Sequence, residues 1–111
     1  MSLIDELKFD PDGLLTAVVQ DQDSHQVLMV AMMNAEAVQM TLHTKKAHFW
    51  SRSRKKLWQK GEESGNILDV KQIQVDCDRD ALLLEVTPRG PTCHTGNRSC
   101  FFTNWEGFYV E

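Results

Sequence analysis

Three aspartates, three cysteines and one histidine, all between residues 76 and 100, are the side chains in this sequence best suited to chemistry. The first group is Asp76-Cys77-Asp78-Arg79-Asp80. In an extended strand alternate side chains share a face, so Asp76, Asp78 and Asp80 would converge on one side and Cys77 would turn to the other. Carboxylates held that close repel one another unless a cation sits among them, and hard oxygen ligands suit Mg²⁺ or Ca²⁺. The plainer alternative is a solvated acidic strand end or turn. If Cys77 is a ligand, it should serve a different metal from the one the aspartates hold.

Cys93 and Cys100 are the company for Cys77, with fifteen and six residues intervening. That spacing is unlike the tight pairs of structural zinc modules, and counted alone the three read better as small buried hydrophobes. Context argues otherwise. Cys93 is followed at once by His94 inside Gly90-Pro-Thr-Cys-His-Thr-Gly96, a loop too rich in glycine and proline to be core. Three thiolates with an open fourth position describe a catalytic zinc with a bound water. His94 is then a candidate proton carrier, its side-chain type titrating near neutrality; otherwise it is a loop histidine with no task.

A third constellation is basic and aromatic. Arg52, Arg54 and Lys60 could grip phosphate oxygens, arginine through its planar bidentate fork. Ser64, Gly65 and Asn66 could add hydroxyl and backbone N–H donors in the manner of an anion nest. Trp50 or Trp58 could stack on a base, and Glu62 is either a ribose hydroxyl acceptor or an exposed acid. A solvated hairpin tip is the bland reading of the same segment.

These groups need a frame. Residues 14–20 are rich in strand formers, 21–25 are turn material, and 26–32 give a second apolar run, so a hairpin is expected. Asn34 is a candidate N-cap for a helix over 34–43, with an acid in its first turn. Residues 47–51 look like a strand, 57–60 like a hairpin return, and 61–66 like a loop, with Ser64 as an alternative cap for a short helix. Ile73 and Val75 alternate against Gln72 and Gln74 within a strand over 67–76. Another strand spans 81–87, Pro88-Arg-Gly-Pro91 breaks it, and a late aromatic stretch runs over 101–110. The fold class expected is α+β, predominantly β.

The chain has 111 residues, enough for one small domain with a thin stability margin, and a dimer is the natural expectation. Its 12 Lys and Arg against 16 Asp and Glu give a formal net charge of -4. That balance argues against sequence-blind binding to nucleic acid or to anionic membrane. No apolar run reaches the length of a membrane span, and the N-terminus lacks signal-peptide character, so a cytoplasmic location is expected. An odd number of cysteines in a reducing compartment favours free or metal-bound thiols.

Taken together, the motifs resemble the phosphoribosyl-AMP cyclohydrolases. The likeness runs from about Gly13 through Phe101. It rests on Val27-Leu-Met-Val-Ala-Met-Met-Asn34, Phe49-Trp-Ser-Arg-Ser-Arg54, Leu57-Trp, Lys60-Gly-Glu, Ser64-Gly-Asn66, Asp76-Cys-Asp-Arg-Asp-Ala-Leu-Leu83, Gly90-Pro-Thr-Cys-His-Thr-Gly96 and Ser99-Cys-Phe101. Each is weak alone; their order and spacing are jointly specific. Glu63 stands where the family commonly has Thr, and Met32 where Tyr is expected. The resemblance implies zinc, one per subunit, on Cys77, Cys93 and Cys100, and Mg²⁺ on Asp76, Asp78 and Asp80. It implies an intertwined homodimer, in which Cys77 reaches the zinc of the partner chain.

The implied activity is hydrolytic opening of the adenine ring of 1-(5-phosphoribosyl)-AMP at N1–C6, giving the formimino-aminoimidazole carboxamide ribotide intermediate of histidine biosynthesis. His94 is the expected proton carrier. The substrate is expected against Trp50, Arg52, Ser53, Arg54, Lys60, Glu62, Ser64, Gly65 and Asn66. The pyrophosphohydrolase domain to which this family is often fused is not expected within residues 1–111. Two rival readings stand beside this one. A zinc-stapled binding module would need His94 as a fourth ligand, and a nucleic-acid binder would use residues 52–56 against the acidic balance of the chain.

Overall fold

Strict alternation builds the first strand of the computed structural model, which describes residues 3–106. Strand β1 (Leu15–Asp21) buries Leu15, Ala17, Val19 and Asp21 and leaves the residues between them half-buried. It pairs antiparallel with β2 (Val27–Met33), the register slipping between Val19 and Gln20. The turn forms where its polar residues predict. The Asp21 carboxylate accepts the N–H groups of Asp23 at 2.8 Å and Ser24 at 3.3 Å, and His25 takes the left-handed conformation at φ 64°.

Helix α1 (Ala35–Thr44) starts at the expected cap: Asn34 Oδ1 accepts the Ala37 N–H at 2.8 Å. It ends at left-handed Lys45, whose N–H returns to the Thr41 carbonyl. Strands β3 (His48–Ser51) and β4 (Lys56–Gln59) form a separate ribbon, pinned to the core by fully buried Phe49, whose ring centroid lies 5.3 Å from that of Trp58. Strands β5 (Leu68–Val75) and β6 (Ala81–Pro88) complete the main sheet in the order β2-β1-β6-β5.

All neighbours in that sheet are antiparallel except β1 and β6, which run parallel with Thr16 opposite Ala81 and Asp21 opposite Val86. A parallel pair needs a crossover, here the whole stretch through α1, the ribbon and β5. The ribbon is tied to β5 where the Ala47 N–H meets the Leu68 carbonyl at 3.1 Å. Leu84 and Val86 of β6 are fully buried, so the strand leading into the Cys93 loop lies at the centre of the core.

The class is mixed, mostly strand with one α-helix among the described residues, as the pattern predicts. The loop expected over 61–66 forms, without the alternative short helix, and one element is added at the N-terminal end. Residues 61–66 form turns with no helix, and Ser64 Oγ accepts the Asn66 N–H at 3.2 Å instead of capping one. Leu3–Glu6, for which the sequence pattern predicts no element, winds into a short 3-10 turn. Of the late aromatic stretch, residues 107–110 lie outside the described residues. No described helix is long and apolar enough to cross a membrane.

Candidate metal and substrate site

The three aspartates do come together, by a route other than the strand. Residues 76–80 are the turn joining β5 to β6, not an extended segment. Asp76 Oδ1 accepts the N–H groups of Asp80 at 3.0 Å and Ala81 at 3.1 Å, and Arg79 adopts φ 66°. An aspartate that closes a turn on its own backbone is a local preference of the residue type. The strand alternation that sends Cys77 to the opposite face therefore does not apply. One oxygen from each of Asp76, Asp78 and Asp80 lies within 4.8 Å of the others, with all three residues exposed.

The electrostatics show the strain of that grouping. Asp80 is pushed up to about 6 by hydrogen bonding to Asp78 and then Asp76, reinforced by their charges. For Asp76 desolvation works upward, but the Ala81 N–H and the neighbouring carboxyls outweigh it and hold the group below the usual carboxylate value. Between roughly pH 4, the ordinary carboxylate value, and 6 the folded chain thus keeps a shared proton that the unfolded chain has lost. The stability this lends is full below that window and gone above it, where three charges face one another. A divalent cation relieves the repulsion only when the carboxylates are ionised. Mg²⁺ is therefore expected to raise Tm clearly at about pH 7.5 and little at about pH 5. Thermal melts with and without Mg²⁺ at both values check this, and equal shifts would count against a cation among the three.

Cys93 is buried in a tight turn. Its N–H reaches the Asn97 carbonyl at 3.1 Å and its carbonyl accepts the Gly96 N–H at 3.0 Å. Cys100 hangs on the outer edge of β2, its N–H on the Leu28 carbonyl at 2.8 Å, and its thiol lies within hydrogen-bonding reach of Cys93. The Cys93 thiol is held below its ordinary value, first by the Thr95 hydroxyl at 3.1 Å and further by Lys60. Burial pushes the Cys100 thiol up, and the neighbouring Cys93 adds to it. The loop is fastened from outside. Arg98 donates to the buried Asp21 carboxylate and to Gln26 Oε1 at 3.0 Å, and Ser99 Oγ donates to the Val27 carbonyl at 2.6 Å. At Asp21 burial works upward, but the turn N–H groups and the Arg98 charge keep its carboxyl low.

Cys77 is nowhere near this pair. Cys100 sits level with Val19 and Gln20 of β1, hence with Leu84 and Glu85 of β6, while Cys77 sits in the turn before Ala81. About five residues along the strands and three strand spacings across them separate the two, roughly 20 Å. Among the described residues no group of three metal-ligating side chains joins Cys93 and Cys100 to Cys77 or to His94. Among the described residues the two thiols stand side by side without a third ligand, so they offer part of a zinc's donor set and the rest would have to come from elsewhere.

Beside the cysteine loop lies an open cleft of about 570 Å³. It is lined by Trp50, Arg54, Lys60, Glu62, Ser64 and His94, six of the ten residues expected against substrate or as proton carrier. The other four lie elsewhere. Arg52 and Ser53 are at the exposed tip of the β3–β4 ribbon, where the Ser53 hydroxyl meets that of Ser51 at 3.3 Å. Gly65 gives its N–H to the Gly61 carbonyl and Asn66 gives its own to Ser64, so neither backbone donor is free for an anion. Asn66 instead buttresses the site. A Cβ at Gly90 would lie 3.0 Å from Asn66 Cγ and closer still to its Oδ1, so the bare glycine lets the cleft loop pack on the loop carrying Cys93.

Trp58, weighed beside Trp50 as a stacking residue, also lines the cleft, and so does Lys56, which was missed although strand alternation sets Lys56, Trp58 and Lys60 on one side. The Lys60 ammonium stands 5.9 Å over the Trp58 ring. Its charge also acts, weakly, to lower the thiols of Cys93 and Cys100. The cationic end of the cleft and the cysteine pair thus share one edge.

Comparison with known proteins fits this geometry. The profile of the phosphoribosyl-AMP cyclohydrolases matches residues 29–102. The chain belongs to the phosphoribosyl-AMP cyclohydrolase family. A phosphoribosyl-AMP cyclohydrolase of Sphingopyxis alaskensis is 59% identical over 89% of this chain and 79% of its own. One from Archaeoglobus fulgidus is 55% identical over 96% of this chain and 98% of its own. A histidine biosynthesis bifunctional protein of Photobacterium profundum is 52% identical over 96% of this chain and 52% of its own. The cyclohydrolase profile takes in both the acidic turn and the cysteine loop, along with the ribbon that carries the cleft.

Proposed function

We propose that this protein is a phosphoribosyl-AMP cyclohydrolase of histidine biosynthesis, working as a homodimer with zinc held by Cys93 and Cys100 of one chain and Cys77 of the other. Water adds to C6 of the adenine ring, the C6–N1 bond breaks, and a proton passes to N1. The observation that carries the reading is the cationic, tryptophan-lined cleft abutting a two-cysteine half-site whose third cysteine lies on the far side of the same chain.

Two features support a second copy as the source of the missing ligand. Val30 on β2 is 46% exposed, and Phe101 and Phe102, next to Cys100, are 63% and 55% exposed. An apolar strip beside the half-site is what an isologous contact would cover. Cys77 is also threaded between Asp76 and Asp78, so delivering it to a partner's cysteine pair delivers the acidic trio to the same cleft.

Within that site the chain's own groups divide the work. Arg54, Lys56 and Lys60 would take the two phosphate termini and Trp50 the purine face, while Glu62 is placed to accept from a ribose hydroxyl. His94, exposed on the cleft wall next to Cys93, would take the proton from the attacking water and return it to N1. The zinc, when bound, supplies Lewis acidity that makes water a competent nucleophile near neutral pH. Mg²⁺ on Asp76, Asp78 and Asp80 would meet substrate phosphate.

Purified protein given phosphoribosyl-AMP is expected to open the ring, followed by ultraviolet absorbance. It should lose that activity on chelation and regain it with Zn²⁺. A folded, zinc-loaded protein that leaves the compound intact would overturn the enzymatic reading in favour of a zinc-stapled binding module.

A further inference from the structure

The turn that carries Cys93 contains a second, smaller device. Thr95 is exposed, and an exposed threonine hydroxyl ordinarily turns to water. Here its oxygen accepts from both donors of one residue, Asn97 Nδ2 at 2.9 Å and Asn97 N–H at 3.4 Å. A hydroxyl has two acceptor positions and one proton. With Asn97 occupying the acceptor side, the proton is left for Cys93 Sγ, 3.1 Å away. The backbone holds this relay closed through the Cys93 N–H to Asn97 and the Gly96 N–H to Cys93. Gly96 itself stands at φ 92°, a conformation few side-chain-bearing residues tolerate.

We infer that Thr95, oriented by Asn97, is a positioning residue for the metal centre: its hydroxyl donates to the Cys93 sulfur and tempers that thiolate as a zinc ligand. The inference rests on the zinc reading above and adds to it a residue that touches neither metal nor substrate. The physical reason is charge. Three thiolates carry more negative charge than Zn²⁺ can balance, and each unmoderated sulfur weakens the metal's pull on water. A hydrogen bond draws density from one sulfur and fixes the direction of its lone pairs, as second-sphere partners do for other metal ligands. Among the described residues no hydroxyl donates to the Cys100 sulfur as Thr95 does to Cys93, so the two sulfurs of the pair are unequal.

The test compares full-length wild type with Thr95→Val, Thr95→Ser and Asn97→Ala. Zinc affinity is read by competition with a chromophoric chelator at neutral pH. Thr95→Val is expected to bind zinc about 10- to 100-fold more weakly, Asn97→Ala by a smaller factor, and Thr95→Ser close to wild type. Circular dichroism melts of the metal-free chains control for folding. The second readout is the sulfur-to-metal charge-transfer band after cobalt substitution. It should move to lower energy in Thr95→Val and stay in place in Thr95→Ser, a shift that mere loosening of the turn would not produce with that pattern. A folded Thr95→Val chain with wild-type zinc affinity and an unmoved cobalt band would overturn the inference and leave the zinc reading intact. A wild-type chain that binds no zinc would overturn both, and the two failures are told apart by the wild-type titration alone.

Discussion

An equal mixture of Cys77→Ser and Cys93→Ser chains, unfolded and refolded together, is expected to recover about a quarter of wild-type turnover, although each variant alone is inactive. The arithmetic follows from the fold. Cys77 and Cys93 lie at opposite ends of the sheet and never meet within one chain. If each zinc takes Cys77 from the partner, a mixed dimer has one centre with all three cysteines and one lacking two of them. Half of the randomly formed dimers are mixed, and half of the centres in those are whole. Both substitutions are mild for folding, since Cys77 is exposed and serine nearly matches the volume of buried Cys93. Activity in mixtures against activity in the separate variants, at matched zinc, is the measurement. No recovery in the mixture would overturn the shared centre, and full activity of Cys77→Ser alone would remove Cys77 from it.

The second large effect concerns a residue with no chemistry. Gly61→Ala is expected to lower stability by about 2–4 kcal/mol and to disable the cleft, because two penalties coincide there. Gly61 adopts φ 83°, and an added Cβ would lie 2.6 Å from Ile67 N and closer to the Asn66 carbonyl carbon. Both obstacles are backbone, which cannot rotate aside. Gly90→Ala meets only the end of the Asn66 side chain and should cost less. Gly61 begins the loop that brings Glu62 and Ser64 to the cleft, so Gly61→Ala should raise KM for phosphoribosyl-AMP more than Gly90→Ala does. Urea unfolding and steady-state kinetics on the pair check the order, and a Gly61→Ala protein as stable as wild type would contradict it.

Much of the frame was readable because it is local. The alternation along Leu15 to Asp21, the turn residues after it and the Asn34 cap all act within a few positions, and all form. What was not readable is set by contacts distant in sequence. The parallel pairing of β1 with β6 follows from how the core closes, and no pattern inside either strand announces it. At residues 76–80 the spacing of the aspartates matches a strand period, yet the same residues favour turns that close on their own backbone. Turn chemistry won, and the carboxylates converged for a different reason. The cleft shows the same division. The residue types on the ribbon pointed to Trp50, Arg54 and Lys60, but Gly65 and Asn66, expected as donors, spend their N–H groups within the loop. Asp21 and Arg98, 77 positions apart, drew no attention because a buried acid and a loop arginine look unremarkable until the fold joins them.

The parallel placement of β6 also acts as a ruler. In any two-fold pairing that sets the Cys77 turn of one chain on the Cys93 loop of the other, the gap between the two completed centres equals the offset between those loci within a single chain. That offset, roughly 20 Å, is more than twice the distance over which charges feel one another at physiological ionic strength, about 8 Å. Two substrate molecules, each carrying phosphates, can therefore occupy such a dimer at once without repelling each other appreciably. In such a dimer the strand that holds Cys77 away from Cys93 within one chain would also keep the two centres electrically independent.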